Sequence, residues 1–173
     1  MSGSAFAGPL LAGAALLLAG GVAKLVRPEN VARALQAADL PLGRIGIRVL
    51  AATEVVIALG AVMIGGWLPA TLVALSYALF AGFVGTALAR GWTLSSCGCF
   101  GTPDSPPTAV HVVIDLVLAA AAVGAAVHGG AAPLALVRRR PGWGTGMVVG
   151  SVVTAGLAYL ALVRLPRLRA ELS

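Results

Sequence analysis

Five stretches of this chain are long and apolar enough to cross a bilayer, at roughly 5–23, 47–64, 68–89, 109–127 and 144–163. A helix needs about 20 consecutive apolar residues to span the hydrocarbon. The runs are unbroken rather than alternating, which selects helices over barrel strands. Only 10% of residues are charged, 59% are hydrophobic, and mean hydropathy is +0.97. A soluble domain carries about 25% charged residues, so this chain lacks the charge to cover itself in water. The expected fold is all-α. It is a polytopic membrane bundle within one integral membrane domain (1–173), with a four-helix core over about 5–128 and an added transmembrane helix at about 144–163.

The first apolar run has no Lys or Arg ahead of it. A secretory signal carries a basic n-region, so the run reads as a retained helix. The net charge of +6 does not point to nucleic acid, because the basic residues cluster beside apolar segments, without a DNA-binding motif or aromatic platform. Charge placed there meets lipid headgroups and sets orientation. The partner this implies is the lipid bilayer.

Between the first two spans lies KLVRPENVARALQAADLPLGRIGIR, which is too polar to cross. Pro28 opens a short helix and Pro41 bounds it. Val31, Ala34, Leu35 and Ala38 share one face, with Arg33, Gln36 and Asp39 away from it. That pattern predicts an amphipathic helix at the membrane surface, with a solvated loop as the alternative. The second and third spans are joined by GGWLP, a tight turn that places Trp67 at the interface. The last span carries Gly142, Gly146 and Gly150 at four-residue spacing, a signal for close helix packing.

Both cysteines of the chain, Cys97 and Cys99, sit one residue apart in SSCGCFGTPDSPP. Three readings fit. The first is a redox pair. A disulfide closed over one intervening residue is strained and easily reduced, and Gly98 lets the backbone bend. The second is a soft-metal site, although two thiolates leave zinc's four positions short. The third is a pair of small buried side chains. The polar, proline-rich flanks argue for an accessible loop, where thiol chemistry operates.

The CGCFG motif (Cys97 to Gly101), followed by a Pro/Ser loop and another membrane helix, resembles the MauE family, which is grouped with the DoxX-like membrane proteins. The stretch GVAKLVRPENVARALQAADLP and the carboxylate Glu54 are similar to that pattern too, so the resemblance covers most of the first four spans. It implies a redox-associated membrane protein. Family members are linked to maturation of the disulfide-rich small subunit of methylamine dehydrogenase, with a thioredoxin-like periplasmic partner. Many MauE- and DoxX-like proteins have no methylamine pathway around them, so the resemblance leaves the substrate open.

Two acidic residues and one histidine fall within spans: Glu54, Asp115 and His111. A charge there costs a few kcal/mol and should face the bundle interior with a partner. His111 and Asp115 are four residues apart and share a helical face. One reading has His111 taking a proton from a cysteine or contacting a quinone headgroup, with Asp115 orienting it. The other is a structural hydrogen-bond network linking the second and fourth spans, the role expected of Glu54. The candidate catalytic set is thus Cys97, Cys99, His111 and Asp115, with Glu54 as a structural intramembrane residue.

With five spans, nine Lys and Arg fall on the side that holds the cysteine loop, among them Lys24, and three on the other, Arg138, Arg139 and Arg140. Positive-inside counting places the cysteines in the cytoplasm. The resemblance places them outside the cell membrane, where disulfide chemistry operates, and that orientation is the one expected here. The reading of function is a membrane thiol–disulfide oxidoreductase that exchanges with a thioredoxin-like protein and supports oxidative maturation of extracytoplasmic proteins. Its rivals are a non-enzymatic scaffold or assembly factor, and a soft-metal delivery or transport protein.

Overall fold

The computed structural model describes residues 5–38, 40, 42–92, 108–129 and 132–163. Seven helices follow in order: α1 (Ala7–Val26), α2 (Pro28–Ala37), α3 (Arg44–Met63), α4 (Trp67–Ala89), α5 (Ala109–Val127), α6 (Pro133–Arg139) and α7 (Pro141–Val163). No strand occurs among the described residues. Five of the helices, α1, α3, α4, α5 and α7, are long and apolar enough to span a membrane. Large apolar side chains such as Val56, Leu79, Val117 and Leu157 point outward from them. Such a surface fits a lipid environment, where no hydrophobic force drives these side chains inward. The chain is a multi-pass, all-helical membrane protein.

The expected spans match to within a few residues, with one consequential difference. The first span was expected to end at Ala23, with Lys24 outside it, but α1 continues to Val26, so Lys24 lies in its last turn. A lysine one turn from a helix end can turn its ammonium outward or inward. Here it turns inward and is 4% exposed. The short helix α6 was not expected; it carries Arg138 and Arg139 ahead of α7.

α1 is the central helix, packing on α3, α5 and α7, while α4 packs mainly on α5. The main core gathers Leu10, Ala14 and Leu17 of α1 with Ala58 and Ala61 of α3, Val73 and Tyr77 of α4, and Ala122 and Ala125 of α5. Small residues dominate these interfaces and let the backbones approach closely, as membrane helices require. α1 comes close to α3 at Gly21. A Cβ there would lie 2.9 Å from Val55 Cγ2, 3.0 Å from the Ala51 carbonyl oxygen and 3.3 Å from Glu54 Cβ. By contrast, nothing among the described residues lies within 4 Å of a Cβ built at Gly142, Gly146 or Gly150 of α7. α7 is held instead by Ser151, whose hydroxyl lies 2.9 Å from the Gly8 carbonyl of α1.

α2 begins with Pro28 in its first turn. Val31, Ala34 and Ala38 are buried and Arg33 and Gln36 exposed, which is the amphipathic pattern read from the sequence. The buried face rests on α3 and α1; Asp39 lies outside the described residues. The α3–α4 turn uses Gly65 at φ 66° and Gly66 at φ 85°, conformations that glycine adopts without steric cost. A side chain at Gly65 would also strike the backbone of Ala132, just ahead of α6.

Because the five long helices alternate in direction along the chain, α2, the end of α4, the start of α5 and the end of α7 share one side of the bundle. α1 therefore ends, and α5 begins, on the side that carries the cysteines in sequence. Cys97 and Cys99 themselves lie outside the described residues.

Candidate functional site

The close approach at Gly21 sets the distance between α1 and α3 one turn before Lys24. It brings the Lys24 ammonium to 2.6 Å from both carboxylate oxygens of Glu54. Glu54 is 2% exposed, so the pair is sealed inside the bundle. The ammonium also stands 4.6 Å from the centre of the Phe80 ring on α4, a cation–π contact that grows stronger when water is excluded. The link from Glu54 was expected to run to the fourth span; the side chain that reaches its carboxylate is Lys24 of α1. In a low-dielectric interior each charge alone would be very costly, and the pair is what makes both tolerable.

His111 and Asp115 enter from α5. Both are buried, at 1% and 6% exposure. His111 occupies the third position of the helix and closes a capping box with Thr108. The Thr108 backbone N–H donates to His111 Nδ1 at 3.2 Å, and the Thr108 hydroxyl lies 3.0 Å from the same nitrogen. An Nδ1 that accepts places the proton of the neutral ring on Nε2. Nε2 is buried, with no hydrogen-bond partner among the described residues. His111 lines a cavity of about 20 Å³ together with Lys24, Glu54, Tyr77 and Asp115. That is room for one water, which would have donors and acceptors on several sides. Leu162 of α7 also lines this space, so all five spanning helices contribute to its wall. On α4, the Tyr77 hydroxyl donates to the Gly13 carbonyl of α1 at 2.6 Å and ties α4 to the central helix beside the cavity.

Of the residues singled out in the sequence, Glu54, His111 and Asp115 are thus brought to one cavity. Lys24 is the member that sequence reasoning missed. It was counted with the basic residues of the first loop because the first span was expected to end at Ala23. The available signal was Glu54 itself, since a carboxylate within a span calls for a nearby cation. With Lys24 removed from the tally of basic residues, eight remain against three, so the sign of the bias is unchanged.

A buried imidazole, two carboxylates and an ammonium around a water-sized space can hold, orient and pass a proton. His111 is three residues from Thr108, the residue just before α5 on the side of the cysteines in sequence.

The sequence profile of one family, described as methylamine utilisation protein MauE, matches residues 2–128. No curated protein and no solved structure matches the chain. The matched region covers well over half the sequence. It contains Lys24, Glu54, Tyr77, His111, Asp115 and both cysteines, and it ends just after α5. The chain therefore belongs to the MauE family of membrane proteins.

Proposed function

We propose that this protein is an integral membrane thiol–disulfide redox protein that supports oxidative maturation of extracytoplasmic proteins together with a thioredoxin-like partner. Family membership suggests a membrane protein in methylamine utilisation; the thiol chemistry is the finer reading. The observation that carries it is the pair Cys97 and Cys99, one residue apart, in the segment leading into a helix whose first turn carries the buried His111.

In the oxidised state Cys97 and Cys99 share a disulfide. A thiolate of the reduced partner attacks one sulfur, forming a mixed disulfide and releasing the other cysteine as a thiolate. The partner's second thiolate resolves the mixed disulfide. The partner leaves oxidised, and Cys97 and Cys99 remain as a dithiol. The one-residue spacing keeps both sulfurs at the same point, so the reverse closure is intramolecular and fast. His111 exchanges protons with the departing or returning thiol, Asp115 orients the imidazole, and the Lys24–Glu54 pair fixes α1 against α3 behind them. This chemistry needs an oxidising compartment, so the cysteine segment lies on the extracytoplasmic side of the cell membrane.

The test replaces both cysteines by serine in the producing cell. Maturation of the disulfide-containing client should be lost while the membrane level of the protein is unchanged. Full maturation with the double variant would leave the scaffold reading in its place.

A further inference from the structure

The Lys24–Glu54 pair borders two cavities. One is the small polar space shared with His111 and Asp115; the other is an apolar cavity of about 450 Å³ between α2, α3 and α4. That volume is within the range of small-molecule sites, about 300–1,000 Å³. The apolar face of α2 forms one wall through Val31 and Leu35, and Phe80 and Phe83 line the α4 side. Exposure rises steeply along the lining. Lys24 and Glu54 are sealed, while Leu75 and Leu79 are 54% and 64% exposed. The cavity therefore opens sideways between the spans, towards the hydrocarbon, and ends inside the bundle on a buried ion pair.

We infer that this cavity binds a lipid-soluble quinone, with the ring against the Lys24–Glu54 pair and the tail leaving towards the lipid. A lateral mouth in the apolar belt admits a ligand that partitions into lipid. The inner end is electrically neutral as a pair. A charged headgroup would draw one member of it away and strand the other in a low-dielectric site. An uncharged head avoids this. The Lys24 ammonium lies 2.6 Å from both carboxylate oxygens of Glu54, and of its three hydrogens the one not needed there lies on the side of the Phe80 ring, where a ligand oxygen would compete for it. A quinone carbonyl accepts that hydrogen. Once reduced, the head presents a hydroxyl, which the Glu54 carboxylate accepts. The pair thus serves both redox states of the same ring. The other hydroxyls of the wall, Thr53 and Ser76, donate to the carbonyls of Val49 and Leu72 of their own helices. They leave only lone pairs towards the cavity, which an apolar ring and tail do not need.

This assignment deepens the thiol–disulfide proposal and rests on it for its role. Closing a Cys97–Cys99 disulfide from the dithiol releases two electrons and two protons, and one quinone takes up both to give the quinol. The binding site does not rest on the cysteines, and its test leaves them out.

The experiment uses the purified Cys97→Ser/Cys99→Ser protein in lipid nanodiscs, with a short-tailed photoreactive azidobenzoquinone as probe. After illumination, peptide mapping should place the label on α3 or α4 residues of the cavity, and excess decyl-substituted benzoquinone should compete it away. Leu75→Trp and, from the opposite wall, Thr53→Phe fill the space and should each weaken the competitor by about tenfold without shifting the unfolding temperature. Label mapping outside the cavity overturns the proposal, as does label unaffected by both variants. Displacement by phosphatidylcholine as effective as by the quinone also overturns it, since the cavity is then a general lipid slot. If the double serine protein binds the quinone yet still supports client maturation, the quinone site stands and the thiol reading falls.

Discussion

The ammonium of Lys24 lies 2.6 Å from each carboxylate oxygen of Glu54, thirty residues away on a neighbouring helix. The contact locks α1 to α3 at the point where two cavities meet. Removing one partner leaves the other buried and alone, at a cost of about 3–5 kcal/mol. Lys24→Met or Glu54→Leu alone should therefore lower the unfolding temperature in detergent sharply. The double variant Lys24→Met/Glu54→Leu should recover most of the loss, because an apolar pair of similar volume needs no counter-charge. A double variant as unstable as the singles would show that packing, not charge pairing, holds the two helices.

Gly21 and Gly150 are both helical glycines in spans, and they predict opposite outcomes. At Gly21 a methyl group would stand 3.0 Å from the Ala51 carbonyl oxygen, a backbone atom that cannot step aside. Gly21→Ala should destabilise by roughly 1–3 kcal/mol, the cost of overpacking a tight interface, and should loosen the Lys24–Glu54 contact. At Gly150 nothing lies within 4 Å, so Gly150→Ala should be neutral or slightly stabilising. Thermal unfolding of the two variants side by side measures the difference.

The five spans were legible in the sequence because length and hydropathy alone decide them. α2 was legible because its apolar positions repeat with helical spacing. Glu54, His111 and Asp115 stood out because ionisable groups inside apolar runs require an interior. Lys24 was not legible. One turn from a helix end, a lysine can reach water or the core equally well, and the choice depends on how close α3 comes at Gly21, a tertiary fact. The apolar cavity was hidden for a similar reason. Its residues look like ordinary span and surface-helix side chains, and only the packing of α2 on α3 leaves a gap beside α4. The glycines of α7 share a spacing that suits close packing, and among the described residues no helix lies against them.

His111 combines a cap and a proposed proton-transfer role, and two substitutions separate them. Asparagine offers a side-chain oxygen to the Thr108 N–H, so His111→Asn should keep the start of α5 near its native stability. Leucine removes the cap and should cost about 0.5–2 kcal/mol. If the imidazole passes a proton during thiol exchange, His111→Asn should still slow exchange with the partner by about 100-fold. Native exchange rates in that variant would reduce His111 to its capping role.

The side on which the cysteines lie is open to direct labelling. In intact cells, a membrane-impermeant maleimide should modify Cys97 and Cys99 after mild reduction and leave them unmodified without it. Labelling only after the membrane is broken would place the segment in the cytoplasm, as the eight-to-three bias of basic residues would have it.

Disulfide exchange between the proposed Cys97–Cys99 pair and a soluble partner can be trapped. With one cysteine replaced, the remaining thiol attacks the partner's disulfide and has no neighbour of its own, so only the partner's second thiol can reopen the product, and acid quenching protonates that thiol and preserves the adduct. Membranes from cells carrying Cys97→Ser or Cys99→Ser, acid-quenched and run without reductant, should show an adduct that reductant collapses and that mass spectrometry identifies as a thioredoxin-like protein. The double serine variant should show none. Absence of an adduct in both single variants, with the protein present at native levels, would rule out disulfide exchange through Cys97 and Cys99.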